Sequence, residues 1–186
     1  MKIWTIQSKQ VVDDIMGNNV YIPDFNKSSY LEKIPSLKDL YTFMLHSYNN
    51  VNGSHMPGVI FGFAKTDNRS LLEISDIDEF KELMIRKKEV IVSLWKQFSS
   101  QGSVILELEY QENFNPICID LNDFQFLMPP IVLVPPYSEI DINRLLNNIA
   151  NGVIQSSIFT SGIIQTHTPY IKKENIIRTH EFFEIE

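Results

Sequence analysis

The chain has 186 residues, a formal net charge of −7, and hydrophobic and charged fractions of 44% and 21%. That length suits one domain, since a single core serves about 100–200 residues, and the composition is too apolar for a disordered chain. No apolar run approaches the roughly 18 residues that span a membrane, MKIWTIQSKQ lacks the apolar core of a signal peptide, and the acidic balance argues against a broad phosphate-binding surface.

KIWTIQ (2–7) predicts a strand, after which Ser8 is an N-cap for a short helix with Val11, Val12, Ile15 and Met16 inward and Gly17 as its stop. NNVYIPDFNKSSYLEKIP predicts irregular chain with a short strand at 20–22. Ser36 and Asp39 have capping-box spacing. Behind them Leu37, Leu40, Tyr41, Met44, Leu45 and Tyr48 recur at helical period. NNVNGSHMPG is a loop, and GVIFGFAK a strand in which Gly62 marks a bulge or a close approach. Ser75 opens a long helical stretch to about residue 101, with a break expected near Lys87, where RKKEVIV drifts off the period.

The remainder is strand-rich. SVILELEY (103–110) is followed by a turn at QENFNP, a short strand ICI, one helical turn in DLNDFQF and a short buried strand at IVLV. Ser138 and Asp141 form a second capping box before a helix that Gly152 ends. GIIQTHTPYI (162–171) and NIIRTHEFFEI (175–185) predict two last strands. The expected fold is a single α+β domain, residues 1–186, with a mixed or largely antiparallel sheet and three to four flanking helices.

In a strand, Glu107 and Glu109 share one face, opposite Leu106, Leu108 and Tyr110. Glutamates are ordinary on a wet sheet face. If the next strand pairs back as a hairpin, however, Asp120 and Asp123 join them, and four carboxylates suit Mg²⁺ or Mn²⁺ and metal-assisted cleavage of RNA. His167 and His180 fall on the two last strands; as antiparallel neighbours they would suit acid–base work on an RNA hydroxyl. In QTHTPY, Thr166 and Thr168 face away from His167. The sole cysteine, Cys118 in PICID, excludes an intramolecular disulfide and reads as a buried thiol. No P-loop, HExxH or G-x-S-x-G is present.

The segments MKIWTIQSKQ, VILELEYQ…ICIDLNDFQF and IIQTHTPYIKKENIIRTHEF resemble an uncharacterised bacterial domain family. Its members begin with a W-[ST]-I-Q strand and carry an E-L-E strand, an Asp-rich segment and a Q-[AT] strand. Trp4, Gln7, Glu107, Glu109, Asp123 and Gln165 carry that likeness, which brings no activity with it. IFGFAKTDN departs from it by lacking tryptophans. A looser similarity links the first strand and the two last ones to small ADP-ribosyltransferases. It implies NAD near Gln7, Gln165 and Thr166, but both charged positions of that family are missing. Acidity, size and the scarcity of alanine typical of AT-rich coding are similar to small phage and mobile-element proteins, including anti-CRISPR proteins.

Three functions follow as expectations for a cytoplasmic protein. In the first, a counter-defence or accessory protein acts on RNA or a ribonucleoprotein. Glu107, Glu109 and His167 are then catalytic, Glu107, Glu109, Asp120 and Asp123 hold the metal, and Gln7 and Gln165 orient the substrate. In the second, a non-catalytic acidic inhibitor blocks a protein's basic nucleic-acid groove. The third is a degenerate NAD-binding domain.

Overall fold

Ile3 through Ile6 are all buried, and a strand buried on both faces belongs in the interior of a sheet. The computed structural model describes residues 1–67, 70–99, 102–111, 115–133, 135, 137–153 and 160–185. In chain order the elements are β1 (Lys2–Ser8), α1 (Lys9–Asn18), β2 (Val20–Tyr21), α2 (Ser29–Lys33), α3 (Lys38–Asn52), β3 (Ile60–Thr66), β4 (Leu71–Leu72), α4 (Ile77–Arg86), α5 (Lys88–Ser99), β5 (Ser103–Glu109), β6 (Ile117–Asp120), α6 (Leu121–Phe126), α7 (Glu139–Ala150), β7 (Ile163–Thr168), β8 (Ile171–Lys172) and β9 (Ile176–Glu181).

The main sheet runs β6-β7-β3-β1-β5-β9, with β4 paired to β3 beside it, and β2 and β8 form a separate ribbon. Every described pair is antiparallel. The fold is α+β, with seven described helices rather than three or four.

Register sorts the side chains into two layers. Trp4 pairs with both Phe63 and Glu107, so these three share a face. On that face α4 and α5 cover Trp4, Ile6, Phe63, Ile105 and Ile163 through Phe80, Leu83, Met84, Ile91 and Trp95. Farther along it, α3, α6 and α7 cover Ile117 and Ile119. The opposite face packs Ile3, Ile60, Leu106 and Leu108 against Ile15 of α1 and Ile171 of β8. Burying this much apolar surface, at about 25 cal/mol per Å², is what holds the layers together.

Several local signals act as their chemistry dictates. Ser8 caps α1 by accepting from the Val11 amide. Ser138 and Asp141 complete their capping box. The long helical stretch breaks at Lys87, which lets Met84 and Ile91 both face the sheet. A Cβ on Gly62 would lie 2.5 Å from the Ile3 methyl and 3.0 Å from the Trp4 carbonyl oxygen, so this glycine marks a close approach of strands.

Other expectations are corrected. Ser36 caps nothing, because Pro35–Leu37 is a 3-10 turn and Leu37 already has helical backbone where a cap would be extended. Asp76, not Ser75, caps α4, accepting from the Asp78 and Glu79 amides. IVLV is not a buried strand: Ile131, Val132 and Leu133 are exposed and unpaired with any described strand. Val134 lies outside the described residues, as do 112–114 of the QENFNP turn and the end of the long helical stretch at 100–101.

Candidate functional site

Glu107 lies on the helix-covered face, not on a wet one. It is 4% exposed, and its Oε1 sits 2.8 Å from Lys2 Nζ, which also donates to the Ser75 carbonyl at 2.7 Å. Its Oε2 lies 3.5 Å from His180 Nε2. The imidazole of His180 stacks on Trp4 at 5.4 Å, and Phe80 stacks on Trp4 at 5.1 Å. Trp4 therefore lies between two rings, with its Nε1 donating to the Ile74 carbonyl. Glu109 shares the face but is exposed at the strand end, opposite Lys2.

β6 does not pair back on β5. Three strands separate them, β7, β3 and β1, a span of about 19 Å at roughly 4.8 Å per strand. Asp120 and Asp123 are consequently remote from Glu107 and Glu109. Asp120 is fully buried and committed to the backbone. It caps α6 at the Asn122 amide, accepts from the Ser161 amide at 3.0 and 3.1 Å, and takes the Thr160 hydroxyl at 2.8 Å. Asp123 is buried in the first turn of the same helix. The four carboxylates do not fit a shared Mg²⁺ or Mn²⁺. Among the described residues no three His, Cys, Asp or Glu side chains converge in a way that suits a metal ion.

The two histidines of the last strands are equally far apart, because β7 and β9 are also separated by three strands. His167 has no exposure, and burial alone pushes its pKa down to about 3. Its Nε2 lies 3.0 Å from Gln165 Oε1, and its ring meets Phe61 edge-on at 4.9 Å. Its Nδ1 has no partner among the described residues. Such a group is a neutral member of the core, unable to exchange protons with a substrate near pH 7. His46 and His55 are exposed and apart from it.

Gln7 and Gln165 point to opposite faces, since Gln165 aligns with Phe63 while Gln7 lies one step out of phase with Trp4 on β1. Gln7 donates to the Thr5 hydroxyl, which itself donates to the Phe61 carbonyl. Thr166 is fully buried beside Gly62. No shared substrate contact is available to the three. Burial pushes the Cys118 thiol up to about 12, as expected for an inert structural cysteine.

What the structure does assemble is a carboxylate rim where β1, β4 and α4 meet. Glu73 accepts from the Lys2 amide at 2.8 Å. Asp76, Asp78 and Glu79 occupy the cap and first turn of α4, with Glu107 and Glu109 beside Lys2. Of these six carboxylates, Glu73 lies beside the Met1 amine, Glu107 pairs with Lys2 and Glu79 with Lys65. The Lys65 ammonium on Glu79 holds that carboxyl down at about 2, and the Glu79 amide keeps Asp76 below its usual range. Both of these carboxyls therefore favour the ionised form. Its sequence signal is the acidic run EISDIDE at 73–79.

No family model, curated protein or solved structure matches this chain.

Proposed function

We propose that the protein is a non-catalytic acidic binder that occupies the basic, nucleic-acid-binding groove of a ribonucleoprotein, the stoichiometric form of a counter-defence or accessory protein. The observation that carries this reading is the rim of Glu73, Asp76, Asp78 and Glu109, which stand at the surface, while Glu79 is paired with Lys65 and the interior carboxylates are spent on Lys2 and on backbone amides. A row of fixed carboxylates imitates the phosphates such a groove is built to hold, and attraction of this kind raises association rates and falls with salt.

The test is incubation of the purified protein with structured RNA and with a Cas9–guide complex as a representative ribonucleoprotein, in Mg²⁺ and in EDTA. The expected result is intact RNA and a salt-sensitive complex saturating at one protein per partner. Replacing Glu73→Gln, Asp78→Asn and Glu109→Gln together should weaken that complex while leaving the fold unchanged. RNA fragments produced by substoichiometric protein would overturn the reading and return attention to catalysis.

A further inference from the structure

At the same end of the main sheet but on its opposite face, where β5 runs out beside β8, the surface opens into a cavity of about 270 Å³. Tyr110 and Tyr170 form its aromatic wall, their ring centroids 6.3 Å apart and tilted by 56°. Carboxamides of Asn52, Gln111, Asn115 and Asn175 supply the rest, with Lys172 and Glu174 at the mouth. A second, more open depression of about 580 Å³ adjoins it and shares Lys172 and Glu174, adding Lys173 and Asn19.

The walls are held in place from behind. The Tyr110 hydroxyl donates to the Tyr170 carbonyl at 2.7 Å. Asn175, 9% exposed, accepts from the Lys172 amide and donates to the Glu109 carbonyl, both at 3.0 Å. The Lys173 amide donates to the Asn19 carbonyl, fixing the lysine pair over the open depression. Lys172 Nζ lies 5.4 Å from the centroid of the Tyr170 ring. Lys172 Nζ is also 3.4 Å from Glu174 Oε1, while Lys173 is exposed beside it.

We infer that this corner binds a single nucleotide unit, its base against Tyr170, which the buried Tyr110 backs, and its phosphate beside Lys172 and Lys173. The Tyr170 ring offers stacking that tolerates any base, while the Gln111 and Asn115 carboxamides offer the paired donor and acceptor that a base edge requires. The two lysines supply the cationic partner of a phosphate, which a neutral sugar site has no use for. The cavity lies just under the roughly 300–1,000 Å³ of ordinary ligand pockets, and the adjoining depression leaves room for a phosphate beside the lysines. The same chemistry is offered by a free ribonucleoside monophosphate and by an unpaired nucleotide in an RNA strand. The inference is independent of the carboxylate rim.

The experiment is titration of the full chain with each ribonucleoside 5′-monophosphate, with a ten-nucleotide unstructured RNA and with N-acetylglucosamine, followed by calorimetry and by amide chemical shifts. Binding of the monophosphates assigns the site to free nucleotide, and binding of the RNA alone assigns it to a strand. Either supports the inference if shifts fall on Tyr170 to Asn175. Tyr170→Leu should weaken binding by about tenfold or more through lost stacking. The Lys172→Gln, Lys173→Gln pair, at exposed positions, should weaken it severalfold and flatten its salt dependence. Circular dichroism confirms that the variants fold. No binding of either nucleotide form, binding untouched by both variants, or preference for the sugar overturns it, whatever becomes of the groove-blocking reading.

Discussion

Two imidazoles on the same sheet face, one buried and one half-buried, make an instructive pair. His167 sits in mid-sheet, among Phe61, Phe124 and an amide, with no charge near enough to compensate a proton. His180 lies on the edge strand, stacked on Trp4 and 3.5 Å from a carboxylate that Lys2 also holds. The first neighbourhood is kept neutral by burial. The second tolerates charge because opposite charges arrive together at the sheet's end. Position across the sheet, not residue type, decides which kind of polar group the core admits.

The sharpest way to break the charged neighbourhood is Lys2→Met. It strands Glu107 among Trp4 and its neighbours without its cation and should cost about 3 kcal/mol in urea unfolding. Adding Glu107→Leu should recover much of that loss. No recovery would mean that Lys2 acts through the Ser75 carbonyl instead.

A smaller effect is expected in the neutral neighbourhood. His167→Leu leaves Gln165 Oε1 without its partner, a cost of about 1–3 kcal/mol. It also changes the pH profile. His167 titrates near 3 when folded and near its ordinary 6.5 when unfolded, so below pH 6.5 the unfolded chain binds the extra proton. The stability this residue contributes is whole above 6.5 and is lost progressively as the pH falls toward 3. The leucine variant should show a flatter stability curve across that window.

The weakest effect sharpens the comparison at the rim. Glu79, held at about 2 against an ordinary 4.5, contributes stability that is present above pH 4.5 and lost as the pH falls toward 2. Glu79→Gln should therefore lower stability by a constant amount above pH 4.5, with the difference from the parent shrinking as the pH falls toward 2. A change of slope between 4.5 and 6.5 in that variant would show that the two regions are coupled.

Much of the local structure was legible because it is governed by near neighbours in sequence. Ser8, the Ser138–Asp141 pair and the break at Lys87 act within one or two helical turns of themselves. Alternation correctly separated Glu107 and Glu109 from Leu106 and Leu108. Where a neighbouring signal competed, reading failed locally. Pro35 started its turn before Ser36 was able to cap, and Asp76 displaced Ser75.

The candidate site was legible only as a set of residue types. Alternation says which residues share a face, but not whether that face is covered, and α4 and α5 covered the one bearing Glu107. Nor does it say which strand lies alongside. β5 follows α5 and precedes β6, yet it pairs with β1 and β9, and that choice alone scattered Glu107, Glu109, Asp120 and Asp123. The same choice brought Tyr110 beside Tyr170 and Lys172, residues about sixty positions away in sequence. By itself the sequence determined the elements, their caps, the α+β class and the acidic balance. The tertiary structure decided the partners, because strand order is set by which apolar faces bury together across the whole chain, and no local period records that.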